Sequence, residues 1–335
     1  DLNSTLLRVD GRHRVSFTNV CSRGVVKEHD DIIGGHILEL DGLAESGASL
    51  VTALPMCSIT GVDYGRVIRS LEGKLAKPAF DIPPESLVGD WLDGYAQTLN
   101  ALARGLGVSS GRRRPRTAGI VGYLMDRNEA DHIANVRELS RLLEALGLET
   151  VSIWLGGGSA ADLKRIEEAE LIVSLPYGRS AAKRLATATG ARLVETELPF
   201  GLPKTLKFLR DVGGAAGKTA EAQALIDAEL SRVIPRLQWI IPQHFLNKRT
   251  AFMGDPYLLG GFLDIAEELG LLVEGAIVRG RRAHADARAN SRVFYEPASN
   301  SEEVTRLLDA PLDLFVSCWC EQECLRLRAP MLEFG

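Results

Sequence analysis

The chain has 335 residues, of which 45% are hydrophobic and 25% charged, and its net charge is -5. That length suffices for two or three domains with sizeable cores, and the acidic balance argues against nucleic acid as a partner, since such binders carry a basic face. No run of about 18 apolar residues is present to span a membrane, and no signal peptide opens the chain, so a cytoplasmic protein is expected. The start at Asp1 and the stop at Gly335 read as trimmed ends.

In chain order, short β-branched runs alternate with longer amphipathic stretches. Asp31 to Ile33 leads into Gly34-Gly35, and a helix is predicted from His36 to Leu43. A strand (Ser49 to Met56), a helix (Ser58 to Leu71) and a strand (Lys77 to Ile82) follow, then a helix capped by Asp90 and running to Leu106. Strand followed by helix, repeated, implies parallel strands joined by crossovers. The stretch Ser109 to Arg116, with Arg112, Arg113, Arg114 and Arg116, reads as a solvated linker. Thr117 to Met125 is an almost unbroken apolar run, the mark of a strand buried on both faces. After it come a helix (Asn128 to Leu146), strands at Thr150 to Leu155, Leu171 to Leu175 and Arg192 to Glu195, and helices at Ala160 to Glu168 and Arg179 to Thr189. Thr219 to Leu246 reads as a long helix bent or broken at Pro235 and Pro242. A last set comprises strands at Thr250 to Met253, Leu271 to Val278, Arg292 to Tyr295 and Leu312 to Ser317, with helices at Tyr257 to Leu269 and Ser301 to Leu308. Arg279 to Ser291 is polar and basic and reads as a loop. The expected fold class is α/β, three Rossmann-like parallel-sheet units. Their expected extents are 1–108, 117–213 and 249–335, with a connecting helix over 214–248.

Nucleotide motifs are weak. Gly156-Gly157-Gly158 lies between a strand and a helix but lacks GxGxxG spacing, and a tight turn explains it. Gly213 to Thr219 looks like a P-loop with the wrong glycine spacing and no strand before it, so the chain is expected to bind no ATP itself. Six scattered histidines form no metal spacing, and nothing marks a nucleophile elbow.

The five cysteines are Cys21, Cys57, Cys318, Cys320 and Cys324, an odd and lopsided set that points to a reducing compartment with thiols free for metal. Cys57 sits where a strand gives way to a helix. Ligands gather at such strand ends, and a helix N-terminus favours thiolate; a buried small hydrophobe is the bland alternative. Cys318, Cys320 and Cys324 also follow a predicted strand. Three thiols within seven residues could share a soft metal, although their spacing matches no standard zinc site.

Several separated segments resemble one family. Asp30 to Leu38 looks like an acidic–aliphatic–GG–x–x–L element, and Met56 to Tyr64 is similar to a TC-x4-GDD segment with Gly61 and Asp63 retained. Leu198 to Leu209 resembles a P-x-G-x-x-x-T-x-x-F-L element, and Gly254 to Tyr257, with Phe262-Leu263 and Glu268-Leu269-Gly270, looks like GDPD-x5-FL-x-ELG. Ala329 to Gly335 sits where such chains continue into a Gly-Phe-Pro segment. In this order and spacing they resemble component 1 subunits of the nitrogenase superfamily, which includes nitrogenase α and β subunits, cofactor-assembly scaffolds and dark-operative protochlorophyllide reductases. The resemblance implies an iron–sulfur cluster, of the 4Fe–4S kind, near a subunit interface. It implies an identical or homologous component 1 partner, in a dimer or a tetramer of two α and two β subunits. Electrons would come from a separate ATP-dependent 4Fe–4S reductase. Carried over, Cys57 matches a cluster-ligating cysteine, with Cys21 near a second ligand position. No cysteine lies mid-chain, where nitrogenase α subunits hold the molybdenum cofactor. The resemblance therefore implies an oxidoreductase subunit of β or nitrogenase-like type. The alternatives are a scaffold for metallocluster assembly, for which Cys318, Cys320 and Cys324 would suit transient holding, and a cluster-free structural subunit.

Overall fold

The computed structural model describes residues 16–18, 29–53, 62–83, 88–124, 131–284, 292–295, 302–317 and 329–333. The chain divides into two compact units, one of residues 1–128 and 150–193, the other of 129–149 and 194–335.

The first unit opens with α1 (His29–Gly42), β1 (Ser49–Val51), α2 (Tyr64–Ser70), β2 (Ala79–Asp81) and α3 (Trp91–Gly105). α1 starts seven residues before the expected His36. Ile33 and Ile37, four apart, share one helix face and bury with Val67 of α2 and with Leu71, the residue that caps its end. That helical spacing overrides the strand-like look of Asp31 to Ile33. An Arg66–Asp30 ion pair at 2.6 Å ties α2 to α1. β1 and β2 pair in parallel, Ser49 opposite Ala79 and Val51 opposite Asp81. α3 begins where its cap signal predicts. Asp90 accepts from the Leu92 and Asp93 amides at 3.0 and 3.1 Å, and the Asp93 carboxylate accepts from the Asp90 amide at 2.8 Å. These reciprocal bonds satisfy amide donors that a helix start leaves open.

A second sheet has the order β4-β3-β5-β6, with β3 (Thr117–Val121), β4 (Glu149–Ile153), β5 (Leu171–Ser174) and β6 (Arg192–Glu195). Every residue of β3 and β5 is buried, as an unbroken apolar run requires of a central parallel strand. α5 (Ala160–Lys164) and α6 (Arg179–Thr189) accompany it. One core joins Phe80 of β2, Leu99 and Leu102 of α3, Ile172 of β5 and Leu185 of α6. The basic linker is tied down rather than merely solvated. Arg113 donates to the Gly190 carbonyl at 2.7 Å, and Arg114 forks onto the Glu168 carboxylate at 3.0 and 2.8 Å.

The second unit contains α4 (His132–Ala145), α7 (Leu202–Ala215), α8 (Thr219–His244) and a five-stranded parallel sheet. The strand order is β11-β10-β7-β8-β9, with β7 (Arg249–Gly254), β8 (Leu272–Val278), β9 (Val293–Tyr295), β10 (Leu314–Ser317) and β11 (Met331–Glu333). α9 (Pro256–Leu269) and α10 (Glu302–Leu308) complete it. The stacked parallel α/β class expected from the sequence is the class observed. Three details differ. α7 is visible in the sequence only as a motif, because Pro203 and Gly213-Gly214 look like breakers. Pro203, however, falls in the first turn, where the missing amide costs nothing. α8 runs unbroken through Pro235 and Pro242, both exposed, where water can take the carbonyls that the prolines leave unbonded. β11 has no strand signal in the sequence; it pairs with β10, Phe315 opposite Met331.

Candidate functional site

Open parallel sheets gather ligands beyond the carboxyl ends of their strands. In the first unit that edge holds a cavity of about 280 Å³. Thr52 and Ala53 enter it just after β1, and Ile82 and Pro83 just after β2. The first turns of α3 add Asp90, Asp93 and Gln97 to its lining. The floor is apolar and the rim polar, the common make-up of a small-molecule site. The rim carboxylates of Asp90 and Asp93 already spend acceptors on the helix cap, so they are held in place.

Asp63, two residues after the 54–61 segment in the chain, caps α2 by accepting from the Arg66 amide at 2.8 Å. The candidate ligands Cys21, Cys57, Cys318, Cys320 and Cys324 all lie outside the described residues. Their described flanks are Val51, which ends β1 ahead of Cys57, and the fully buried Ser317, which ends β10 just before Cys318. Asp81, Asp93 and Gln97 do not stand out in the sequence. A carboxylate closing a period-two strand is the available signal for Asp81.

The second sheet has its own candidate crevice between β3 and β5, where the strand order reverses. Protein fills it. Gly122, at φ +92°, lies so close to Gly178 that a Cβ on it would sit 2.5 Å from the Gly178 amide nitrogen and the Leu175 carbonyl. From α3 the Tyr95 hydroxyl donates to the Tyr123 carbonyl at 2.6 Å, and its ring meets Tyr177 edge-on at 6.3 Å. Gly156 to Gly158 follows the edge strand β4 instead and turns directly into α5, capped by Ser159 and Asp162. Gly213 to Lys218 is the corner between α7 and α8. Gly213 packs on Ala222, and Lys218 reaches Glu221 at 3.4 Å. Both glycine clusters are tight turns.

In the second unit the motif segments meet one another. Gly201, at φ +84°, lies against the Gly261 carbonyl, and a Cβ on Gly261 would sit 2.5 Å from the Phe200 carbonyl. Asp255 caps α9 through the Tyr257 and Leu258 amides at 2.7 and 3.0 Å. Burial, then the neighbouring Asp264 and Glu267 carboxylates, push the Glu268 carboxyl up, while a bond from the Leu202 amide pulls it down. These motif residues therefore clamp the start of α7 onto α9. Tyr257 also meets His284, hydroxyl to Nδ1, at 3.1 Å.

Parallel sheets with a closed switch-point crevice and an open strand-end cavity define a Rossmann-like scaffold. The chain belongs to the nitrogenase component 1 type oxidoreductase family, whose profile matches residues 13–326. It is 25% identical over 303 residues to the B subunit of the light-independent protochlorophyllide reductase of Methylobacterium radiotolerans, covering 87% of this chain and 55% of that one. The same-named protein of Halorhodospira halophila is 30% identical over 167 residues, covering 48% and 30%. The chain thus spans about half the length of the curated relatives that it matches most extensively. Among solved structures, "Nitrogenase Cp1 at pH 6.5" superposes with a TM-score of 0.75 at 20% identity, over 95% of this chain and 75% of that one, which shows the shared fold. Among the described residues no helix is long and apolar enough to cross a membrane.

Proposed function

We propose that the chain is the component 1 subunit of a nitrogenase-like reductase, holding an iron–sulfur cluster and passing electrons to a substrate next to it. The supporting observation is the family match over residues 13–326 together with the place of Cys57 in the chain, six residues after the last residue of β1. Thiolates are the donors such a cluster needs. Cys57, with Cys21, would hold it, and residues of a homologous or identical partner would complete the set. When bound, the cluster supplies one-electron storage and transfer. Ala53, Ile82 and Pro83 offer low-polarity walls that limit water at this edge, and the Asp90–Asp93 cap keeps α3 from fraying over it. A separate ATP-dependent 4Fe–4S reductase would deliver the electrons, which fits the filled crevice and the tight helix–helix corner at Gly213 to Lys218. By its relatives' name, a tetrapyrrole is the first substrate to try.

The test is anaerobic isolation with iron and acid-labile sulfide analysis. Wild type is expected to carry iron, and Cys57→Ser to lose most of it. Unchanged iron in Cys57→Ser would sink the ligand assignment. A scaffold role is the second reading, favoured by the three thiols of Cys318, Cys320 and Cys324 directly after β10. ATP-dependent substrate turnover with the reductase supports catalysis; cluster transfer to an apo-acceptor without turnover supports the scaffold.

A further inference from the structure

We propose that Asp81 and Asp63 form a pH-sensitive latch, in which protonated Asp81 lets β2 and α2 close around Gly65 and its ionisation loosens the start of α2. Asp81 ends β2. Strand alternation turns Phe80 into the core with α3 and sends Asp81 to the other face, toward α2. There Gly65 leaves a gap that charged groups fill. A Cβ on Gly65 would sit 3.2 Å from Asp81 Oδ2, 3.3 Å from Asp63 Oδ1 and 3.2 Å from Arg69 Nη1. The two carboxyl groups therefore face each other across the glycine.

Their surroundings differ. Asp63 accepts from the Arg66 amide at 2.8 Å and faces Arg69 at 3.4 Å. Among the described residues, Asp81 Oδ1 is buried and accepts no hydrogen bond. Of two neighbouring carboxyl groups, the buried one with fewer compensating donors is the costlier to ionise. Burial first and the Asp63 charge second raise the Asp81 carboxyl above its ordinary range, while Arg104 of α3 and Arg69 of α2 pull it down. Because the folded value exceeds the unfolded one, the Asp81 contribution to the junction is fully present below about pH 4 and is lost as pH rises through the folded value. The latch does not rest on the cluster reading.

Amide hydrogen exchange of Arg66 to Ser70, corrected for intrinsic rates and followed from about pH 4 to about pH 8, tests it in the metal-free chain. Wild type is expected to open at least about threefold more readily across that range. Asp81→Asn is expected to abolish the rise, and Asp63→Asn to move its midpoint toward the ordinary carboxyl value. An unchanged profile in Asp81→Asn overturns the latch. If that variant does not fold, the Asp81 13Cγ shift is titrated in wild type, where a midpoint at or below the ordinary aspartate value overturns it. Repeating the exchange in Cys57→Ser separates the two ideas. A retained latch with lost iron supports both, and a retained latch with unchanged iron removes only the ligand assignment.

Discussion

A methyl group placed on Gly122 would have to displace the backbone of Gly178, because no flexible side chain stands between them. The residue also holds φ +92°, a region that L side chains rarely enter. Gly122→Ala is therefore expected to cost more than about 2 kcal/mol, read as a lower urea midpoint with the slope unchanged. A midpoint equal to wild type would show that the contact is looser than drawn. Residues of this kind are only partly legible in a sequence. Asp90 can be read as a cap because its partners lie two and three positions away along the chain. Gly122 and Asp81 cannot, since Gly178 and Gly65 reach them only through the fold.

At the scale of elements, apolar periodicity locates the core strands and most helices, and it fails where local residues imitate another signal. The start of α1 is hidden because Asp31 to Ile33 looks β-branched and Gly34-Gly35 looks like a turn, whereas packing of Ile33 and Ile37 on α2 makes the whole run helical. α7 is hidden because a proline that is harmless in a first turn looks like a breaker. α3 links this level to the cavity. Its first turn carries the cap and part of the rim, so Asp90→Ala is expected to lower stability by about 1 kcal/mol and to raise hydrogen exchange at Leu92 and Asp93 selectively. Uniform change along α3, or none, would show that the cap does not hold this turn.

For the molecule as a whole, the parallel α/β class is legible from alternation alone, because parallel strands demand crossovers and buried strands read as apolar runs. The unfitness of the glycine clusters for a nucleotide is legible only as wrong spacing. The structure adds where the clusters sit: Gly156 to Gly158 turns into the capped start of α5, and Lys218 turns toward Glu221. A fluorescent ATP analogue is accordingly expected to show no saturable binding to this chain alone, with any ATP dependence arising from a second protein. Micromolar affinity for the isolated chain would overturn that division of labour.

The indoles carry a practical consequence. Trp154 is wholly buried, its ring nitrogen donating to the Leu163 carbonyl at 3.1 Å, while Trp239 on α8 is 66% exposed. One sits in a dry, fixed dipole field and the other in water, so their emission should differ in colour and in quenching by iodide. The chain also carries Trp91 and Trp319; with both replaced by Phe, a further Trp239→Phe would leave an inner signal that reports on the first unit's core, and Trp154→Phe an outer one that reports on the surface of α8. Those two indoles are then unlabelled optical reporters, one in each compact unit, by which unfolding of the two can be timed separately.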